Sequence, residues 1–196
     1  MVVPVKCVRV MGPKDNKDIS RDGILVYTVS HFDSWSRGLS PFFIGPCKLY
    51  GGYIAQRMEN AWQFCKVYEC HADFGENPTE EYWRWARQGW ADNWAHRHPM
   101  GKGAVPLYSL WNGEYLNYIE ARKKIYAPLY ARAVKKTMAY HKLKELYETS
   151  GRTIYLWDFD GYNNKALGMS LVDVLNCPDK TMGHAFVLAR MLEKNV

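Results

Sequence analysis

The stretch 58–68 constrains the fold most, because it combines a buried helix face with a polar column at helical spacing. The apolar face consists of Ala61, Phe64, Cys65 and Tyr68, which recur at i, i+3, i+4 and i+7. On the opposite side, Glu59, Gln63 and Lys66 follow one another at i, i+4 and i+7, with Trp62 at their edge. A helix over 58–68 therefore aims a carboxylate, an amide and an ammonium from adjoining turns, within ~10 Å along its axis.

Two interpretations of this polar column are open. Charged and amide groups at these spacings are typical of a solvated helix face that carries a salt bridge. Trp62 and the aromatic, glycine-rich chain before the helix instead favour a pocket wall, because polar groups beside a large ring suit a binding site. The pocket wall is our working hypothesis, with Glu59 and Lys66 as its reactive groups.

Length and composition predict one folded domain over 1–196. This length suffices for a single sizeable core. A content of 47% hydrophobic and 15% aromatic residues excludes disorder as the main state. The net charge of +6 and the pI near 9.0 are compatible with a polyanionic or phosphate-bearing partner.

Composition also bears on location and cofactors. The chain has no apolar run of about eighteen residues, so we expect no membrane span, and residues 1–6 lack the apolar core of a signal peptide. Five cysteines without framework spacing fit a reducing cytosol. The cysteines and histidines match no standard zinc spacing. We therefore predict a cytoplasmic protein without membrane contact, metal or cofactor, and the sequence leaves its oligomeric state open.

The remaining elements follow from helix and strand propensities and from the turn and cap residues along the chain. In the first half of the chain they are short strands through Val2, Val3, Val5 and Val8 and over 24–29, a structured loop over 32–46 and a helix capped by Asn77. In the second half, a helical stretch over 114–149 is split by Pro128 and ended by Gly151. A buried strand over 153–161 that ends in a turn and a helix over 179–193 capped by Asp179 complete the chain. These elements predict a mainly α (α+β) fold, a single compact domain of helices with a few short N-terminal strands and one late strand.

The helical stretch over 114–149 carries most of the positive charge. Its basic residues are Arg122, Lys123, Lys124, Arg132, Lys135, Lys136, Lys142 and Lys144. A solvated helix face is the default interpretation of such a run. Contact of part of it with nucleic acid is the alternative.

Short matches to a known family run through the chain in order. They are the segments 39–42 and 58–66, then Trp111, Asp158 and the segment 182–190. Together they resemble the NADAR (YbiA-like) family, in which a Leu-Ser-Asn-Phe segment precedes a Glu-His-Tyr-x-Gln-x-x-Lys helix. Pro41 and Asn60 stand where that family has Asn and His. The resemblance implies a mostly helical domain that cleaves N-glycosidic bonds of ribosylated compounds, either ADP-ribose on a nucleobase in DNA or RNA or a ribosylamino-pyrimidine phosphate.

The resemblance also implies roles for the matched residues. Glu59 stabilises the oxocarbenium charge that builds on the sugar and activates water. Lys66 orients Glu59 or holds a phosphate, and in a variant of the mechanism its amine attacks the anomeric carbon to form a Schiff base. Asp158 positions a ribose hydroxyl or acts as a second carboxylate. The predicted substrate-binding residues are Ser40, Phe43, Trp62, Gln63, Trp111, Gly183 and His184, the two tryptophans stacking a base or sugar.

Two further functions are open at this stage. A binding protein that keeps the pocket without turnover would sequester a nucleotide such as an ADP-ribose derivative, and the departures at Pro41 and Asn60 leave room for it. A basic nucleic-acid-binding module would lose affinity steeply with salt and would tolerate Glu59→Gln. The expected partner is accordingly ADP-ribosylated nucleic acid or a ribosylated nucleotide. For His184, a role in packing or in a pocket wall is favoured over catalysis.

Overall fold

The computed structural model describes residues 7–15, 19–32 and 34–194. The chain divides into two compact units. The terminal unit comprises Met1–Ser40 and Tyr130–Val196, and the central unit comprises Pro41–Leu129. Along the sequence, the central unit is thus one continuous segment between the two parts of the terminal unit. The expectation of a single domain over 1–196 stays a prediction.

The described residues form eight strands and seven α-helices, which are interspersed along the chain. The strands are β1 (Cys7–Met11), β2 (Ile24–Tyr27), β3 (Cys47–Lys48), β4 (Ile54–Ala55), β5 (Lys66–Val67), β6 (Tyr108–Trp111), β7 (Glu114–Leu116) and β8 (Thr153–Trp157). The α-helices are α1 (Met58–Gln63), α2 (Glu80–Ala91), α3 (Tyr118–Ala121), α4 (Ala127–Val134), α5 (Met138–Thr149), α6 (Leu171–Asn176) and α7 (His184–Glu193). Short 3-10 helices cover Trp35–Leu39 and Glu69–His71, and a π-helical turn covers Arg122–Tyr126. No helix of the described chain is long and apolar enough to cross a membrane.

The fold is α+β, and the predicted mainly α fold with a few N-terminal strands and one late strand is wrong. The described strands form three sheets, and two of these, β3-β4 and β5-β6-β7, lie in the central unit. The sequence predicted helix at β5 and β7 and no regular element at β3, β4 and β6. The hairpin between β6 and β7 turns at Asn112 and Gly113, with φ of 49° and 82°. Asn-Gly is the preferred pair for such a turn, and it outweighs the helical spacing that follows it.

The sheet of the terminal unit is parallel, with β8 between β1 and β2. Ile154 and Leu156 of β8 are fully buried, as befits a central strand of a parallel sheet. Helices α5 and α7 both pack against β8. The predicted late strand is confirmed in β8. Of the predicted first strand, Val8 lies in β1, whereas Val2, Val3 and Val5 lie outside the described residues.

The predicted helical stretch over 114–149 is broken in a different place. Pro128 lies in the first turn of α4 and does not divide a helix, because an N–H in a first helical turn has no partner within its own helix. The turn before α4 is π-helical, with Ala127 N donating to Arg122 O. The break comes instead between α4 and α5, where Thr137 caps α5 by accepting a hydrogen bond from Tyr140 N. Gly151 follows α5 with a φ of 65°, the left-handed conformation expected after a helix end.

Two predicted helix starts are corrected by the structure. Thr79, and not Asn77, caps α2, because its side chain accepts a hydrogen bond from Tyr82 N. The last helix begins at His184 after Gly183, and not at Asp179. The loop over 32–46 contains a 3-10 helix, and one of its residues, Asp33, lies outside the described residues.

Candidate functional site

Helix α1 is shorter than the predicted helix over 58–68. Phe64 leaves helical geometry at φ −89° and ψ 6°. The carbonyl of Cys65 accepts a hydrogen bond from Leu110 N at 2.7 Å, and Lys66 pairs with Ser109 across β5 and β6. Pairing with β6 therefore replaces a further helical turn, so that Lys66 enters the site from a strand.

Backbone carbonyls of the preceding loop hold the N-terminus of α1. The N–H groups of Met58 and Glu59 donate to the carbonyl oxygens of Ile44 at 2.8 Å and Pro41 at 3.0 Å. Arg57, the N-cap residue, supplies no side-chain hydrogen bond, so these two bonds satisfy donors that a helix otherwise leaves unpaired. They fix the backbone from which the carboxylate of Glu59 projects.

Glu59, Gln63 and Lys66 form a hydrogen-bonded column despite the shortened helix. Gln63 Nε2 donates to Glu59 Oε1 at 2.8 Å, and Lys66 Nζ donates to Gln63 Oε1 at 2.7 Å. The amide thus turns its donor to the carboxylate and its acceptor to the ammonium, the orientation that satisfies both neighbours. Glu59 is 6% exposed and Gln63 is 8% exposed. The column is therefore not a solvated helix face.

The surroundings of Lys66 make its ammonium group easier to deprotonate. Burial lowers the pKa of Lys66 below its usual 10.5, and the neighbouring Cys65 and Glu59 oppose this effect only in part. Lys66 Nζ lies 4.8 Å from the centroid of the Trp62 ring, a distance typical of a cation–π contact. A buried lysine that gives up its proton more easily suits acid–base chemistry or nucleophilic attack.

An aromatic and cationic layer adjoins Trp62 in the central unit. The Trp62 ring lies 5.2 Å from the ring of Tyr126 and 6.5 Å from that of Tyr118, measured between centroids. Arg122, 1% exposed, lies over the Tyr118 ring at 4.2 Å and donates to its hydroxyl at 2.9 Å. Sequence analysis missed this layer. Its signal was the spacing of four residues from Tyr118 to Arg122 and from Arg122 to Tyr126, which aligns the three on one face.

Trp111, predicted to stack a base or sugar, packs against Tyr50 in the central unit. Their ring centroids lie 4.9 Å apart at an interplanar angle of 75°, an edge-to-face contact common in aromatic packing. Burial raises the pKa of Tyr50 to about 12, and Cys65 contributes to the rise. Trp111 lies on β6, the strand that pairs with Lys66. Its contact with a ligand stays a prediction.

Asp158 and His184 lie in the terminal unit, where they tie the end of β8 to the start of α7. Asp158 Oδ2 accepts a hydrogen bond from Ala185 N at 3.2 Å and lies 3.1 Å from His184 Nδ1. His184 Nε2 lies 2.8 Å from the carbonyl oxygen of Thr28. Because a carbonyl only accepts, Nε2 carries a proton and donates it to Thr28. All these contacts lie within the terminal unit, and the predicted roles of Asp158 and His184 stay predictions.

Gly183 allows the N-terminus of α7 to approach this carboxyl group closely. A Cβ atom at Gly183 would lie 2.1 Å from Asp158 Oδ2, which excludes any side chain there without rearrangement. Ser40, buried in the terminal unit, ends the 3-10 helix Trp35–Leu39. Phe43 is 41% exposed in the central unit.

The predicted site residues thus divide between the two units. The central unit holds Phe43, Glu59, Trp62, Gln63, Lys66 and Trp111, and the terminal unit holds Ser40, Asp158, Gly183 and His184. The contacts given above link two groups of these residues. One group is Asp158, Gly183 and His184 in the terminal unit. The other is Glu59, Trp62, Gln63 and Lys66 in the central unit, and we call these four the polar column site. Among the described residues, no three His, Cys, Asp or Glu side chains are grouped so that they could hold a metal ion.

Comparison with protein-family profiles, curated proteins and solved structures found no match to the chain. The proposed function therefore rests on the chemistry of the polar column site. A buried carboxylate, a bridging amide and a lysine of lowered pKa beside an indole ring can stabilise a positive charge and relay a proton.

Proposed function

We propose that the chain is an N-glycosidase that hydrolyses the bond between a ribosyl group and a nitrogen base, with ADP-ribose on a nucleobase of nucleic acid as the preferred substrate. The observation that carries the proposal is the hydrogen-bonded column Glu59–Gln63–Lys66 beside Trp62. The substrate class comes from the residue pattern shared with the NADAR family. The five cysteines are free thiols, which fits a reducing compartment, and the proposal therefore includes a cytoplasmic location.

Glu59 is the catalytic residue of the proposed reaction. As the C–N bond breaks, its electron pair leaves with the base and positive charge builds on the sugar ring, where the carboxylate stabilises it. Water then adds to the anomeric carbon. Glu59 accepts the proton that this water loses, and the departing nitrogen gains one, so that protons balance.

Gln63 and Lys66 support this role from their positions in the column. Gln63 donates to Oε1 of Glu59 at 2.8 Å, and this hydrogen bond fixes the orientation in which the carboxylate would meet sugar and water. Lys66 orients Gln63 through the hydrogen bond to its Oε1. With its pKa lowered by burial, it also has a labile proton for the departing base, and its ammonium attracts substrate phosphate.

Replacement of the carboxylate tests the proposal. We expect Glu59→Gln to lower the rate of base release by at least about 100-fold, since general acid–base catalysis typically contributes about that much. The melting temperature should stay within a few degrees, because a glutamine side chain keeps the volume and accepts the hydrogen bond from Gln63. Mass spectrometry of products from a panel of ADP-ribosylated and ribosylated substrates measures release.

Glu69→Gln is the matched control for this experiment. Glu69 is an exposed carboxylate in the same unit, and its replacement should leave the rate unchanged. Full activity of Glu59→Gln, or equal loss in both variants, would refute the assignment.

A binding protein that sequesters a nucleotide without turnover is the second candidate. The observation that favours it is the depth of Glu59, 6% exposed with one carboxylate oxygen already engaged by Gln63. Trp62, Tyr118 and Arg122 supply rings and a cation that suit a base and a phosphate. Recovery of intact ligand after tight binding by the wild-type protein would favour this candidate over the enzyme.

A further inference from the structure

A basic surface lies where α4 leads into α5 in the terminal unit. Between residues 121 and 144 the chain carries eight Lys and Arg residues and no Asp or Glu, and this positive charge alone exceeds the net charge of +6 of the whole chain. Four of these residues are exposed in the terminal unit, namely Arg132, Lys135, Lys136 and Lys142. We call these four the α4–α5 basic surface.

Three of its members share one face of the chain. Arg132, Lys135 and Lys136 follow one another at i, i+3 and i+4, the spacing of neighbours on a helix face. Lys135 and Lys136 lie in the turn that directly follows α4. This turn continues the helix for a short distance, since Lys135 N donates to Ala131 O and Lys136 N to Ala133 O, both at 3.3 Å. Within 7–15, 19–32 and 34–194, no carboxylate forms a salt bridge with any of the three. Within the part of the chain that the structure describes, no ion pair neutralises their charges.

An aromatic ring borders the fourth member. Lys142 Nζ lies 5.1 Å from the centroid of the half-buried Trp35 ring. The 3-10 helix that carries Trp35 packs closely on α5, because a Cβ atom at Gly38 would lie 2.9 Å from Ala139 Cβ. Cations beside a flat ring are the combination with which proteins bind phosphates and stack bases of nucleic acids.

We propose that the α4–α5 basic surface binds the phosphate backbone of nucleic acid. An anionic membrane is the competing partner for a basic helix, but it requires an apolar face that can insert between lipids. Ala139, Tyr140 and Leu143 form the apolar face of α5, and all three are buried in the protein. Met138, at the start of α5, is exposed, but a single apolar side chain does not form a face that inserts between lipids. The surface would contact phosphates and not base edges, so its binding does not depend on the nucleotide sequence. The proposal does not depend on the N-glycosidase activity.

Charge removal on the intact protein tests this surface. The probes are fluorescein-labelled 20-nucleotide DNA, single-stranded and duplex, and RNA of the same sequence, measured by fluorescence anisotropy over a range of salt concentrations. We expect Lys135→Gln/Lys136→Gln to weaken duplex binding roughly tenfold or more at low salt. It should also reduce the slope of log K against log salt by about two, because each phosphate contact contributes about 0.9.

The matched control is Arg84→Gln/Arg87→Gln, which removes two exposed charges from α2 in the central unit. It should bind like the wild-type protein. The proposal is overturned if the wild-type protein does not bind at low salt, if both double variants lose equal affinity, or if the protein binds phosphatidylserine vesicles and not nucleic acid. Glu59→Gln should bind normally, so that loss of cleavage and loss of binding are separate results.

Discussion

Cys65 and Lys66, adjacent in the chain, respond to burial in opposite directions. Burial raises the pKa of the Cys65 thiol from 9.0 to about 11, although Lys66 and Ser109 lower it in part. Burial lowers the pKa of Lys66. Both shifts favour the uncharged side chain, as desolvation requires. Lys66, a member of the polar column site, and the adjacent Cys65 are thus both harder to ionise than free side chains.

We expect Cys65→Ala to make the stability of the protein less sensitive to alkaline pH. A thiol whose pKa is raised by folding stabilises the folded state below its unfolded pKa. This stabilisation is lost as the pH rises from about 9 towards 11, because the unfolded chain releases its proton first. The loss amounts to at most about 3 kcal/mol. Lys66, whose pKa is lowered by folding, acts in the opposite direction in both proteins.

Urea unfolding at about pH 8 and about pH 10.5 measures this effect as the difference between two free energies of unfolding. Cys65→Ser is the control. It should show the same reduced difference as Cys65→Ala, even though the two variants differ in absolute stability. A difference as large as that of the wild-type protein in both variants would show that Cys65 does not cause the alkaline loss.

Among the secondary-structure elements, the sequence correctly predicted features that depend on residues close together in the chain. The apolar run of β8 and the left-handed Gly151 after α5 were predicted correctly. The second half of the helix over 58–68 was not, because β5 forms by pairing with β6, a distant segment that local periodicity cannot reveal. The contact of Gln63 with Glu59 follows from helical spacing, but Lys66 reaches Gln63 from a strand.

The start of α7 could not be predicted from local sequence either, because the carboxylate that accepts a hydrogen bond from its first turn belongs to another part of the chain. The sequence offers Asp179 as N-cap, yet the backbone of Ala185 is satisfied by Asp158 at the end of β8. We expect Asp158→Ala to lower the free energy of unfolding by about 3 kcal/mol, because it leaves His184 and Ala185 N without their buried acceptor. Urea denaturation measures this loss.

Asp179→Ala is the matched control for that substitution. Asp179 is exposed and precedes the first residue of α7 by several positions, so its replacement should change the stability by less than about 0.5 kcal/mol. A larger effect at Asp179 than at Asp158 would mean that α7 begins where the sequence pattern places it.

For the molecule as a whole, the two units carry distinguishable chemical reporters. Cys47 and Cys65 lie in the central unit, where they are 3% and 0% exposed. Cys70, in the same unit, is exposed. Cys7 and Cys177 lie in the terminal unit and are half-buried. Thiol reactivity at each position therefore reports whether its own surroundings are folded.

We expect brief alkylation of the native protein to modify Cys70 first and to leave Cys47 and Cys65 unmodified. With increasing urea, Cys47 and Cys65 should become reactive together in one transition, because both are enclosed by the core of the same compact unit and a single domain of this size unfolds cooperatively. Peptide mass spectrometry after pulses of iodoacetamide gives the midpoint for each cysteine. Separate midpoints for Cys47 and Cys65, or labelling of either without denaturant, would contradict a cooperative central unit. Cys70 serves as the internal control, since its labelling should depend little on urea.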